Sequence, residues 1–329
     1  MRKKTGISRR SFLKAAGGVA LASTVGLPKP SRAQESGRLA TLIDLTLCDG
    51  CPDRDTPACI EACRQKNIDT VPEPVDPIPK LLPRGMIEDW SKKKDVTGRL
   101  TPYTYLYIQK ADVEYNGEHK TLFIPRRCMH CDNPACATIC PFTANHKYKT
   151  GAVVIDKDLC FGGAKCRTVC PWSIPQRQSG VGIYLHILPT LAGNGVMFKC
   201  DLCQDLLLEG KNPVCVDACP RHAMLIGPRE EIYAEARRRT GSMNGFLYGD
   251  TENGGTSTLY VSPVPFELLN EAIEKGPGKP HFDPVERSMA KTDTMGTAVL
   301  IAPVAGLIAG VAAAAGARKK PGKEEDRDE

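Results

Sequence analysis

The stretch Asp158–Trp172 reads DLCFGGAKCRTVCPW, and its cysteines are spaced as ligands are. Cys160, Cys166 and Cys170 fill the first, third and fourth places of a C-x2-C-x2-C-x3-C run, Pro171 follows the last, and Gly163 stands in the second place. Three more groups surround it: Cys48, Cys51, Cys59 and Cys63; Cys128, Cys131, Cys136 and Cys140; Cys200, Cys203, Cys215 and Cys219. Four groups of four make sixteen places, and the chain has 15 cysteines. Every cysteine is placed, and the place at Gly163 is vacant.

This is the spacing of iron–sulfur ligands. A C-x2-C turn delivers two thiolates from one tight loop, and the third cysteine closes that loop around a cluster. The last cysteine, three residues on at the start of a helix, points the other way and ligates a different cluster, so groups work in pairs. Pro141, Pro171 and Pro220 follow the last cysteine in three groups and turn the chain away from the site. Zinc also takes four cysteines in C-x2-C knuckles, but it does not call for the x3 step followed by proline. A disulfide framework fits poorly with an odd count and metal-ligand spacing.

The 329 residues, 41% hydrophobic and 25% charged, suffice for one large or two modest domains. The formal charge of +6 is mild, and no basic run is interleaved with aromatics, so nucleic acid is not an expected partner. Residues 1–33 carry a basic start, SRRSFLK with Arg9 and Arg10, an apolar segment Ala15–Leu27 and the exit Ser31-Arg32-Ala33. These features define a twin-arginine signal peptide with cleavage after Ala33. That route carries folded proteins, so clusters can be assembled in the reducing cytoplasm before export.

Residues 34–240 hold the four groups. A short strand over Leu39–Leu47 leads into the first, whose seven residues between Cys51 and Cys59 form an enlarged ligand loop. Val71–Pro83, with five prolines, is expected to be extended surface chain. Tyr103–Pro125 should be a hairpin about Asn116-Gly117. Gly151–Asp158 is a strand entering the third group, and Val181–Gly193 is an apolar insertion or a partner surface. A short helix and a turn at Gly210–Pro213 separate Cys203 from Cys215. A strand over Ala223–Ile226 and a helix over Arg229–Arg239, with Pro228 at its start, follow. Residues 241–293 form an extension, with a strand and helix in Thr258–Gly276 and a three-proline linker in Gly276–Asp293. His130, inside CMHC, is either a donor to cluster sulfur or a solvated loop histidine. No C-x-x-C-H motif for covalent haem, nucleophile elbow, P-loop or carboxylate pair occurs.

Residues 294–317 are expected to form a transmembrane helix: Met295–Ala317 has no charge over 23 residues, about 35 Å as a helix. Pro303 would kink it, and Gly306 and Gly310 give a G-x-x-x-G face. Arg318-Lys319-Lys320 begins a charged tail, 318–329, which should lie on the cytoplasmic side.

The four groups, SRRSFLK, the run CDLCQDLLLEGKNPVCVDACPRHAMLIGPREEIYAEARRR and the terminal apolar segment resemble the iron–sulfur subunits of membrane-bound respiratory oxidoreductases. The layout is most similar to the ferredoxin-like, HybA-type subunit of periplasmic uptake NiFe hydrogenases. Subunits of formate dehydrogenase, nitrate reductase and dimethyl sulfoxide reductase are similar in their cysteine groups. The resemblance implies pairing of group one with four and of two with three. Cluster one would take Cys48, Cys51, Cys59 and Cys219; cluster two Cys63, Cys200, Cys203 and Cys215; cluster three Cys128, Cys131, Cys136 and Cys170. Cluster four would have Cys140, Cys160 and Cys166, facing Gly163. A HybA-type subunit would carry cysteine at that place, whereas nitrate reductase subunits lack it and hold 3Fe–4S there.

The expectation is therefore an α+β chain of two interleaved bacterial-ferredoxin-like modules with four iron–sulfur sites and a C-terminal transmembrane helix. It would bind three 4Fe–4S clusters and one 3Fe–4S cluster. Its role would be non-catalytic relay of single electrons between a periplasmic catalytic subunit, hydrogenase favoured, and a quinone-reactive integral-membrane subunit. It would be tethered at the periplasmic face of the inner membrane. The alternatives are service to formate dehydrogenase or another molybdopterin enzyme, or an enzyme using an open iron at the three-cysteine site. For that last reading, Ala164, Lys165 and Arg167 are the only neighbours on offer.

Overall fold

Strand β1, Leu39–Asp44, lies at the centre of the structure, a computed structural model that describes residues 37–83, 85–191 and 193–290. The signal peptide, the segment 294–317 expected to be a transmembrane helix and the charged tail lie outside the described residues. Among the described residues no helix is long and apolar enough to cross a membrane.

The LATLID sequence of β1 is buried on both faces because the two faces meet different layers. On one side it pairs antiparallel with β8, Met224–Pro228; on the other it runs parallel to β10, Thr258–Ser262, with Thr41 opposite Thr258. Strand β9, Phe246–Tyr248, completes a sheet of order β8-β1-β10-β9. Alternation along the strands sends Ala40, Leu42, Leu259 and Val261 against Ile232, Tyr233 and Ala236 of a long helix, Arg229–Met243. Ile43, Tyr260 and Met224 turn the other way, into the main core that contains the buried cysteines. The residues after 240 thus supply half of the sheet.

The remaining strands are ribbons that aim the cysteine groups. Tyr107–Tyr115 (β2) and Glu118–Arg126 (β3) form the expected hairpin, with Asn116 and Gly117 at φ 53° and 76°, as a two-residue type I′ turn requires. Asn145–Lys147 (β4) pairs with Val153–Ile155 (β5), and Gln176–Gln178 (β6) with Val196–Phe198 (β7). Each group is therefore preceded by a strand: β1, β3, β5 and β7. Three groups are followed by one: β4, β6 and β8.

The helices in chain order are α1 Ala58–Asn67, α2 Ala135–Thr138, α3 Lys165–Thr168, α4 Tyr184–Ile187, α5 Gln204–Leu208, α6 Val214–Asp217, α7 Arg229–Met243 and α8 Phe266–Ala272. Helices α2, α3 and α6 stop within a turn because Pro141, Pro171 and Pro220 follow their last cysteines. Arg64 follows Cys63 instead, so α1 runs on to Asn67, whose amide Nδ2 donates to the Cys63 carbonyl at 2.8 Å.

By sequence, Val181–Gly193 has two readings open, and the segment after Gly276 is expected to be a linker. In Val181–Gly193 the short α4 forms, while Ile187, Leu188 and Leu191 stay exposed. The proline-rich stretch after Gly276 has no regular element among its described residues, yet it is anchored. Phe282 is 2% exposed, packs edge-on against Tyr248 and Tyr260, and lies 3.8 Å under the Arg126 guanidinium. A buried aromatic has as large an apolar surface as any residue here, and it holds this irregular segment against the core.

Candidate metal centres

Each ligand loop repeats one backbone device. The residue before the second place of the run, Gly50, His130, Gly162 and Leu202, has φ of 74°, 48°, 68° and 60°. This left-handed residue folds the C-x2-C segment back on itself, so that both thiols face inward. After the last cysteine, Thr143, Ser173 and His222 take φ of 52°, 50° and 50°, and their N–H groups bond the carbonyls of Cys140, Cys170 and Cys219 at 3.0–3.2 Å. The loop with the vacancy keeps the geometry of the others.

The structure brings together cysteines that are distant in the chain. One small cavity is lined by Cys48, Cys51, Cys59 and Cys219, closed by Ile108, Pro125 and Met224. A second is lined by Cys63, Cys200, Cys203 and Cys215 with Tyr105, Asn67 and Arg127. A third, the roomiest of these three at about 80 Å³, is lined by Cys140, Cys160 and Cys166, with Gly163 at its edge. Cys128, Cys131, Cys136 and Cys170 form the remaining set: burial raises the Cys131 and Cys170 thiols, and Cys128 and Cys136 beside them add to the rise. Helix packing explains the exchange. Cys59 and Cys63 stand one turn apart on α1, which packs against α6 carrying Cys215, with Cys219 just beyond it. Helices α2 and α3 repeat this with Cys136, Cys140, Cys166 and Cys170.

All 15 cysteines are free thiols. Among the described residues no three His, Cys, Asp or Glu side chains converge as a single ion would need. The thiols instead ring a space, which is what a polynuclear cluster occupies. Burial raises the thiol values of several: Cys48 to about 11, and Cys131, Cys166, Cys200 and Cys203 to about 12. Buried thiolates are therefore costly until iron replaces the proton.

Donors wait on the sulfurs. Backbone N–H groups of Gly162 and Met197 reach Cys160 Sγ, that of Leu202 reaches Cys200, and that of Ala223 reaches Cys219, each at 3.4 Å. His130 is fully buried, which excludes the solvated-loop reading. Its Nδ1 accepts from Val153 N–H at 2.9 Å, which puts the ring proton on Nε2, 3.5 Å from Cys200 Sγ. Burial, with Lys199 and Arg127 beyond it, holds the ring neutral. Two buried cations were not foreseen. Burial disfavours the Arg127 guanidinium, but Cys215 and Cys200 outweigh that and raise its value; Cys128, Cys136 and Cys200 do the same for Lys199. Among the described residues Arg127 Nε and Nη1 have no hydrogen-bond partner, and the guanidinium lies against Cys200, an arrangement that suits an anionic cluster beside it. The vacant corner is open: a Cβ on Gly163 would meet nothing within 4 Å.

The arrangement defines an α+β, ferredoxin-like iron–sulfur protein. Residues 119–229 match the 4Fe-4S dicluster domain, and residues 6–26 match the twin-arginine translocation pathway signal sequence. The chain is 33% identical over 308 residues to the hydrogenase-2 operon protein HybA of Escherichia coli O157:H7, covering 80% of this chain and 83% of the relative. It belongs to the family of that protein. It is 28% identical over 251 residues to the formate dehydrogenase iron-sulfur subunit of Haemophilus influenzae, covering 74% and 70% of the two proteins. The B subunit of the anaerobic dimethyl sulfoxide reductase of E. coli K12 is 40% identical over 105 residues, 32% of this chain and 45% of that one.

Proposed function

We propose that the chain is the electron-transfer subunit of an exported respiratory oxidoreductase, with hydrogenase as the favoured catalytic partner. It passes single electrons between that partner and a quinone-reactive membrane subunit, without substrate chemistry of its own. The observation that carries this reading is the set of cysteine-lined cavities, each mixing ligands from two distant groups. Cys48, Cys51, Cys59 and Cys219 hold cluster one; Cys63, Cys200, Cys203 and Cys215 cluster two; Cys128, Cys131, Cys136 and Cys170 cluster three; Cys140, Cys160 and Cys166 cluster four. Three of these are 4Fe–4S, and cluster four is 3Fe–4S because glycine offers its fourth iron no ligand. Charge on Cys59 and Cys215, on Cys200 and Cys128, and on Cys166 and Cys136 is felt across neighbouring sets, which orders the sites one, two, three, four. Such a line suits relay.

The cavity of cluster four favours relay over catalysis. Phe142 and Phe161 stack over it at 4.2 Å, with Ile155 and Met197 beside them, and Lys165 is the one charged side chain among its lining residues besides the cysteines. A site that bound an acidic substrate would need more. Residues 294–317 anchor the exported body to the membrane, tail inward. The stretch shared with the dimethyl sulfoxide reductase subunit supports a second reading, service to a molybdopterin enzyme. Purifying the complex from membranes decides between them: co-purification with a hydrogenase large subunit and hydrogen-dependent quinone reduction support the first. A molybdopterin subunit in its place overturns it, and turnover by the isolated chain overturns the relay.

A further inference from the structure

The residue just before the first cysteine divides the groups into two kinds. It is leucine in groups one and three, Leu47 and Leu159, both more than 40% exposed. It is basic in groups two and four, Arg127 and Lys199, at 1% and 6%. Those two groups supply three ligands each to clusters three and two, the inner pair of the proposed line. The basic residues are exchanged. Arg127 precedes the loop of cluster three but lines the cavity of cluster two. Lys199 precedes the loop of cluster two, but its ammonium bonds the carbonyl of Val153, whose N–H is held by His130 of the cluster-three loop, and there Cys128 and Cys136 act on it. His130 repeats the exchange, for it stands in the Cys128–Cys131 loop and points Nε2–H at Cys200 Sγ.

The hydrogen bonds of both cations go to neutral oxygens. Arg127 donates to the Thr41 hydroxyl, and Lys199 donates to the carbonyls of Val153 and Cys200, the latter at 3.1 Å. No carboxylate is in salt-bridge contact with either among the described residues. Burying two such charges is expensive; Asp201 beside Cys200 acts on Lys199, and the larger anions on both sides are the cysteine-bound groups.

We propose that Arg127, Lys199 and His130 form a charged junction that raises the reduction potentials of clusters two and three together, so that an electron crosses between the modules on a level step. The inference rests on the iron–sulfur reading above. Its physics is the effect of cationic charge and N–H···S donors on an anionic cluster: both favour the reduced state, which carries one more negative charge. In the step itself one reduced cluster loses one electron and the other gains it. The ring proton of His130 stays on Nε2.

The test is potentiometric titration followed by electron paramagnetic resonance on the full chain, with iron and sulfide measured beside it. Lys199→Met keeps the buried stem without the charge. His130→Leu removes the donor, and Leu202 shows that leucine takes the same left-handed backbone in the equivalent loop. The expected result is a downward shift of two midpoints, the inner pair, in either variant. The signal of cluster one, identified by its loss in Cys219→Ala, and that of cluster four stay in place. Retained iron with four unmoved midpoints, or shifts confined to the outer clusters, would overturn the junction. Absence of iron and sulfide from the parent chain would instead overturn the cluster reading. Should the variants not fold, parent protein labelled with 15N-histidine gives the answer by pulsed resonance: a histidine nitrogen coupled to a reduced cluster is expected, and no coupling contradicts the proposal.

Discussion

Gly162 and Gly163 are neighbours with opposite roles. A Cβ on Gly162 would sit 2.4 Å from the Gly195 carbonyl oxygen, at φ +68°, so both sterics and backbone demand glycine. Gly162→Ala should cost about 1–3 kcal/mol in backbone strain alone and weaken the cluster-four loop, seen as loss of that cluster's signal at unchanged intensity from the others. Gly163 has neither constraint. Gly163→Cys should fold, bind one more iron per chain and replace the oxidised three-iron signal by a reduced four-iron one. A variant with unchanged iron and an unchanged oxidised signal would mean that the missing thiolate is not what shapes the site.

Among the elements, the tie between the extended segment at Glu88 and helix α3 is sensitive to acid. Glu88 receives both Arg167 Nη atoms, at 2.7 and 2.8 Å, and Arg177 as well. Burial would raise its carboxyl, but Arg167 and Arg177 outweigh that and hold it below the ordinary 4.5. The folded state thus binds the proton less readily than the unfolded chain does. The pair's contribution is complete above 4.5 and is lost as pH falls through the lowered value. Glu88→Gln should cost about 2 kcal/mol at neutral pH, with the gap to the parent narrowing below that point. An equal gap at every pH in denaturant titrations would show that the ion pair is not its source. The elements that sequence revealed are those with local rules: Asn116-Gly117 for the hairpin, Pro228 at the start of α7, and prolines that stop the ligand helices. The burial of Arg127 and Lys199 was not legible, because a basic residue beside a cysteine is ordinarily solvated. The contrast with Leu47 and Leu159 at the equivalent places was the signal available.

At the scale of the whole molecule, strands β1 and β10 pair in parallel although more than 200 residues separate Thr41 from Thr258. No local pattern encodes that pairing, and the stretch after 240 read as an extension for this reason. The cysteine grouping was legible because ligand spacing is a local geometric demand, and three cavities are lined by cysteines drawn from paired groups. The exchange of last cysteines makes the clusters cross-links between distant segments. Cys63→Ala should therefore empty the site built on Cys200, Cys203 and Cys215 and spare the one built on its own group. Loss of the cluster held by Cys48, Cys51 and Cys59 instead would mean that ligands are not exchanged. Removal of iron should likewise lower the stability of the whole chain, because four buried thiol sets lose the groups that hold them.

The central claim is a four-cluster relay with one three-iron member, and stepwise-reduced electron paramagnetic resonance of the purified protein tests it most directly. The account predicts a near-isotropic signal in the oxidised protein that vanishes on reduction, followed by signals from three 4Fe–4S clusters as the potential falls. Reduced signals from four cubanes with no oxidised signal would contradict the three-iron assignment, and silence in both states would contradict the relay itself.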